Sequence, residues 1–304
     1  MQELKTKEKL KNVFNLILLP LIPMVLWGSL FPFIKIGYAA FDVDTSSVAD
    51  ILMFAAVRFT ICGIIVCALA CLKKDTLEKP VGKSIFSIAL MGVFAIVLHY
   101  SFTYVGLSLT ESSKTALLKQ LGALLYVCFS FLFIKEEKFS KFKIIGALIG
   151  FAGIVAINIG GGKVEFTVGD VLIILASVCT VVSAIMSKKS VSASSPLWIT
   201  GISQFSGGCI LFLIAFFMGG KIPVFTIKST AVFIYICTAS VLGYTLYYHV
   251  QRSISNSRLF IIKFAEPLFA CIFGALLLGE NIFRIQYLVA FILISAGIAL
   301  GNRN

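Results

Sequence analysis

Charge is what this sequence has least of. Asp, Glu, Lys and Arg make up 13% of its 304 residues, about half the share of a soluble domain, while 59% are apolar or aromatic. Too few polar side chains remain to cover a water-facing surface. Acids are scarcer than bases, 14 against 26, giving a formal net charge of +12. The HExxH, GxSxG and GxxxxGK[ST] patterns are missing, as is any His, Cys, Asp or Glu cluster at metal-ligand spacing. Those absences remove the sequence signals of a metalloprotease, a serine hydrolase and an ATPase, so the chain reads as a non-enzyme with no metal. The eight cysteines, at 62, 67, 71, 128, 179, 209, 237 and 271, form no CxxC pair and read as small apolar fillers rather than a disulfide framework.

What is present is long apolar runs. A helix rising about 1.5 Å per residue needs about 20 residues to cross roughly 30 Å of hydrocarbon. Ten runs of that order occur, at about 14–41, 49–72, 84–107, 113–134, 143–160, 169–187, 196–218, 229–252, 258–279 and 285–301. The first has the basic lead of a signal peptide, KTKEKLK, but extends past an h-region without a small-residue cleavage pattern, so it counts as a span. The fold class expected is an all-α polytopic membrane protein with ten transmembrane helices.

Lysine and arginine accumulate on the cytoplasmic side of such proteins. With the N-terminus inside, seventeen fall in cytoplasmic segments and five (Lys114, Lys163, Lys221, Lys228, Arg284) outside. Both termini are therefore expected in the cytoplasm, and the positive charge is assigned to anionic lipid rather than nucleic acid. The membrane expected is the cytoplasmic (inner) one.

Shifting the chain by 144 residues superposes Tyr100 on Tyr244, Tyr104 on Tyr248, Lys114 on Arg258, Lys119 on Lys263, Glu136 on Glu280, Gly153 on Gly297 and Asn158 on Asn302. Seven coincidences at one offset indicate duplication. Residues 1–12 form a cytoplasmic segment, 13–160 a first five-helix unit and 161–304 a second. Five spans is an odd number, so the second unit enters from the opposite side, a transporter arrangement.

WGSLFPFIK in the first run, AVRF around Arg58, and KFAEPLFACIFGALLLGENIF in the second half together resemble an EamA-type member of the drug/metabolite transporter superfamily. The first half has KQLGALLYVCFSFLFIKEEKF, with Gly122-Ala123 where the second has Glu-Pro. The resemblance implies ten helices, a central cavity and movement of small organic solutes by alternating access. It covers nearly the whole chain and says little of the substrate.

Polar residues inside the runs are the candidate site. Lys263 and Glu266 lie three apart on one helical face, and Pro267 withdraws an N–H and crowds the carbonyl of residue 263, so the helix should bend there. Charge and irregular backbone at membrane depth face protein or a watery cavity. Two readings follow: the pair neutralises itself as a structural tie, or Lys263 and Lys119 meet a substrate carboxylate while Glu266 meets an amine or accepts a proton. Gln120 and Trp27 join the substrate-binding set, as do Tyr100 and Tyr244 with aromatic faces and hydroxyls. His99 is either a proton relay or a structural histidine. Tyr104 and Tyr248 read as interface anchors or gate residues, His249 as interfacial or gating, and Arg58 as paired to another helix. Glu136 and Glu280 read as caps or gate partners.

Gly146 and Gly150 make a GxxxG that Gly297 and Gly301 repeat, suited to close packing of the fifth and tenth runs and to a homodimer contact. The excess of positive charge in the spans favours an amino acid, related zwitterion or carboxylate as substrate of a secondary transporter. An exporter of cationic or quaternary ammonium compounds and a non-transporting membrane scaffold are the alternatives. No cofactor is implied, and proton coupling stays open.

Overall fold

The computed structural model describes residues 14–73, 79–109, 112–132, 134–157, 167–279 and 285–303, which are helices and their connections with no strand among them. A π-helical turn at Phe14–Leu18 leads into α1 (Leu19–Ala40), followed by α2 (Val48–Leu72), α3 (Lys83–Gly92), α4 (His99–Leu109), α5 (Ser112–Phe129) and α6 (Lys141–Ile157). The second half holds α7 (Val168–Ser190), α8 (Pro196–Phe217), α9 (Ile227–Gln251), α10 (Asn256–Lys263), α11 (Glu266–Leu278) and α12 (Ile285–Gly301). A π-helical stretch, Val93–Leu98, carries α3 into α4. Small hydroxyl side chains start several helices. Ser47 accepts from the Asp50 N–H ahead of α2, and Thr167 with Asp170 and Thr226 with Ser229 form reciprocal capping boxes on α7 and α9.

Among the described residues, seven helical stretches are long and apolar enough to cross a membrane: Leu16–Ala40, Val48–Leu72, Lys83–Gly106, Val168–Ser190, Pro196–Phe217, Ile227–Gln251 and Asn256–Leu278. The fourth and tenth expected runs correspond to shorter apolar helices, Leu118–Leu132 and Ile285–Gly301, and the fifth to the 17-residue α6. Phe217, Ile227 and Leu276 are 83%, 95% and 74% exposed. Greasy residues turned outward in this way are expected where lipid, not water, is the solvent.

The helices pair in a regular pattern. α2 lies against α8, α6 against α12, α1 against α9 and α11, and α7 against α4 and α5. Glycines allow the closest approaches. A Cβ at Gly63 would lie 2.3 Å from the Phe205 backbone nitrogen, and one at Gly208 would lie 2.5 Å from that of Thr60. At the α6–α12 crossing, a Cβ at Gly146 would meet the Gly301 nitrogen at 2.6 Å and the Gly297 oxygen at 2.7 Å. The two GxxxG stripes thus fill each other inside one chain, which removes them as the dimer contact expected from the sequence.

One end of the bundle gathers the α2–α3, α5–α6, α7–α8 and α9–α10 connections. Lys188 Nζ donates to the Gln251 carbonyl and, at 2.7 Å, to that of Ile254. Arg252 reaches the Val191 and Ser194 carbonyls at 2.9 and 2.8 Å. Gln251 and Asn256 both donate to the Ala184 carbonyl, at 3.0 and 2.9 Å. Ser84 meets Ser194 through their hydroxyls at 3.4 Å.

Between α5 and α6 the buried acid is Glu137, not Glu136, which sits exposed in a turn. Glu137 accepts the Ser257 N–H at 3.1 Å and its hydroxyl at 2.7 Å, and pairs with Lys143 at 3.4 Å. A carboxylate here satisfies a free N–H of the first turn of α10. The Glu-Glu doublet concealed which acid turned inward. Glu137→Ala should lower stability by about 1.5–3 kcal/mol, the value of a charge-assisted hydrogen bond, whereas Glu136→Ala should stay within about 0.5 kcal/mol. Thermal unfolding of both variants in detergent measures the difference.

Candidate functional site

The bend expected at Pro267 is a full break. α10 stops at Lys263, and α11 starts at Glu266 with Pro267 in its first turn. Across the gap the ladder tightens: the Phe264 N–H donates to the Ile261 carbonyl at 3.2 Å and the Ala265 N–H to that of Ile262 at 3.0 Å. Proline cannot donate to the Lys263 carbonyl, so the regular α-helical bond is lost at that point. α1 presses on the break through Gly28, where a Cβ would lie 2.5 Å from Phe269 Cβ and 3.0 Å from the Glu266 carbonyl oxygen.

Lys263 and Glu266 do not form an ion pair, since no such contact between them falls among the salt bridges of the described residues. Instead Lys263 Nζ stands 5.5 Å over the Trp27 ring, within cation–π range. Glu266 Oε2 is buried without a hydrogen-bond partner. A buried, unpartnered carboxylate oxygen is costly. That geometry fits the ligand reading better than the structural-tie reading.

The first half solves the same place differently. α5 runs unbroken through Gly122-Ala123, as the missing proline allows. Into it α7 inserts Ser177, whose hydroxyl donates to the Lys119 carbonyl at 3.0 Å and accepts the Gly122 N–H at 2.7 Å. A Cβ at residue 122 would meet that hydroxyl at 2.4 Å, so only glycine fits. Lys119 Nζ projects to 5.7 Å over the Phe31 ring, and Gln120 beside it is 7% exposed. Lys119 and Lys263 thus reach the same face of α1, over Phe31 and Trp27 one helical turn apart.

An aromatic wall extends from there. Trp27 contacts Tyr244 at 5.2 Å and Tyr247 at 5.3 Å between centroids. Phe59 contacts Tyr244 at 6.4 Å and Tyr100 at 5.1 Å, and Tyr100 lies 5.8 Å from Tyr104. Tyr104 and Tyr248 are not placed as interface anchors: Tyr248 is 3% exposed, tilted against Tyr244 and edge-on to Tyr247, and Tyr104 turns inward onto Tyr100. The preserved pair spacing came from an inward stripe. Sequence reasoning missed Phe31, Phe59 and Tyr247, which are aromatics of common type in apolar spans and find no counterpart at the 144-residue offset.

His99 Nδ1 lies 3.1 Å from both the Ala176 carbonyl and the Thr180 hydroxyl. A carbonyl only accepts, so Nδ1 carries the proton, and the contacts fit a structural histidine joining α4 to α7. His249 is exposed beside Arg252 at the stitched end of the bundle. Arg58 is 1% exposed with no carboxylate partner among the described residues, and its contact with another helix is the Tyr100 ring of α4, 5.7 Å from the guanidinium carbon. Glu280 lies outside the described residues.

The profile of the EamA-like transporter family matches residues 15–159 and again 167–303. A protein named as an uncharacterized transporter from Archaeoglobus fulgidus is 25% identical over 271 residues, 87% of this chain and 89% of that one. The uncharacterized inner membrane transporter YedA of Escherichia coli K12 is 24% identical over 90% of this chain and 86% of its own. The uncharacterized transporter YvbV of Bacillus subtilis is 25% identical over 92% and 88%. A solved crystal structure aligns at 16% identity with a TM-score of 0.76 over 94% of this chain and 96% of that chain, a likeness of fold.

Proposed function

The chain belongs to the EamA-like transporter family and is a polytopic membrane protein, and from that premise we propose that it is a secondary transporter of the cytoplasmic (inner) membrane. It moves a small organic metabolite, an amino acid or a related zwitterion or carboxylate, by alternating access, with no catalytic step. One observation carries this reading: the break at Phe264-Ala265 sets Lys263 over Trp27 and leaves Glu266 Oε2 buried and unpartnered. Both are poised for a solute rather than for each other. The carboxylate of a zwitterion meets Lys119 and Lys263, its amine meets Glu266, and its apolar part lies on Trp27 and Tyr244. Gln120 and Tyr100 complete the lining.

The two units, 13–160 and 161–304, are read as inverted repeats. The helix pairing supports this: exchanging the first five spans for the second turns α1 with α9 into α7 with α4, and α1 with α11 into α7 with α5, while α2–α8 and α6–α12 map onto themselves. Inverted halves with similar packing can exchange roles, which yields two states of comparable energy around one site. The connections carrying most of the lysines are stitched together at one end, in keeping with cytoplasmic termini and with a closed gate on that side.

Counterflow of labelled solutes in proteoliposomes tests the reading, and a protein that exchanges none of a broad panel of zwitterions and carboxylates would refute it. Glu266 is the proposed proton acceptor, read by solute-driven alkalinisation of the liposome medium.

A further inference from the structure

Arg58 is a buried charged side chain that the proposed site leaves unused. It sits near the middle of α2, 1% exposed. Its guanidinium carbon lies 4.3 Å over the Phe59 ring and 5.7 Å over the Tyr100 ring. Nε has no hydrogen-bond partner, and no carboxylate pairs with the group among the described residues. The acid nearest in sequence, Asp50, is occupied at the end of α2, where its Oδ1 accepts the Lys221 N–H at 2.9 Å. Aromatic faces offset only part of the desolvation of a guanidinium at membrane depth, and a buried charge normally takes an ionic or hydrogen-bonding partner.

The unpartnered arginine is joined to the candidate site by rings in contact: Tyr100 to Phe59, Phe59 to Tyr244, Tyr244 to Trp27, and Trp27 to Lys263. Cations stand at both ends of this aromatic path, and the carboxylate of Glu266 at one only.

We propose that Arg58 is a second anion-binding subsite, taking a monovalent anionic group at the far end of the aromatic wall from Lys119, Lys263 and Glu266. The group is either a second carboxylate of the solute or a free halide such as chloride that accompanies a zwitterion. A guanidinium presents a planar fork of donors suited to a carboxylate. This subsite disfavours quaternary ammonium compounds, which would bring a further cation to it. The inference rests on the reading that the interior receives a solute, but its test reads binding and needs no transport.

The test uses the full-length protein in nanodiscs, in an anion-poor zwitterionic buffer, titrated with chloride or with benzoate while thermal midpoint and intrinsic fluorescence are followed. Saturable stabilisation is expected for the native protein, weakened tenfold or more in Arg58→Gln and partly retained in Arg58→Lys. Without added anion, Arg58→Gln should unfold at the same temperature as the native protein or higher, because it removes an uncompensated buried charge. A response to chloride alone assigns the free halide, and a response to benzoate assigns the carboxylate; either supports the subsite. No saturable response, an unchanged titration in Arg58→Gln, a loss in Lys263→Met without one in Arg58→Gln, or a lowered anion-free midpoint in Arg58→Gln would each overturn it. Lost counterflow in Lys263→Met beside an unaltered anion titration in Arg58→Gln sinks the subsite and leaves the transporter reading standing.

Discussion

Glu266→Gln should reduce solute counterflow in proteoliposomes by at least about tenfold while leaving the protein folded. The carboxylate is the acid of the candidate site, its Oε2 is buried without a partner, and a charge-assisted hydrogen bond to a substrate amine is worth about 1.5–3 kcal/mol, or roughly 10- to 150-fold in binding. The amide keeps the shape and removes the charge. Because the native carboxylate has no protein hydrogen bond at Oε2 to lose, thermal stability should hold or rise, and this separates a ligand-binding acid from a structural one. Lys263→Met should impair counterflow to a similar degree, since the methionine still packs on Trp27 but cannot meet a carboxylate. If Glu266→Gln exchanges solute at the native rate, or unfolds several degrees early with transport intact, the acid belongs to the scaffold and the proposed binding mode fails.

Gly63→Val should be among the most damaging substitutions to folding. A Cβ there would stand 2.3 Å from the Phe205 nitrogen, 2.5 Å from its Cα and 2.7 Å from its Cβ. Two of these are backbone atoms of a helix packed along the length of α2, so no rotamer change relieves the clash. Overpacking costs about 1–3 kcal/mol where side chains can move, and occasionally more; this site should fall at or above the top of that range. Gly37→Ala is the matched control, because its nearest neighbours are the Ile236 Cδ1 and Phe54 Cζ tips at 3.1 Å. Size-exclusion yield and thermal midpoint should fall sharply for the first variant and little for the second. Equal behaviour of the two would mean that α2 and α8 are not held this close.

The sequence by itself determined the medium, the helical class and the repeat. Those follow from quantities that need no folding: the 13% charge, run lengths matched to a bilayer, and rare residues recurring at one offset. It also located Lys263, Glu266 and Pro267, because charge beside proline inside an apolar run has few explanations. Tertiary structure decided what each polar group faces. Whether Lys263 meets Glu266 or Trp27 depends on a break that turns an i,i+3 spacing into the ends of two helices. Only the fold revealed that Ser177 from another helix bonds the Gly122 N–H and the Lys119 carbonyl in an unbroken α5 where the other half breaks at proline, that Glu137 rather than Glu136 holds α10, and that both GxxxG stripes are spent on each other. Spacing along a chain sets which side chains share a face; which neighbour that face meets is settled by helices distant in sequence, 55 residues apart for Gly122 and Ser177 and 120 for Glu137 and Ser257, through contacts that no local pattern encodes.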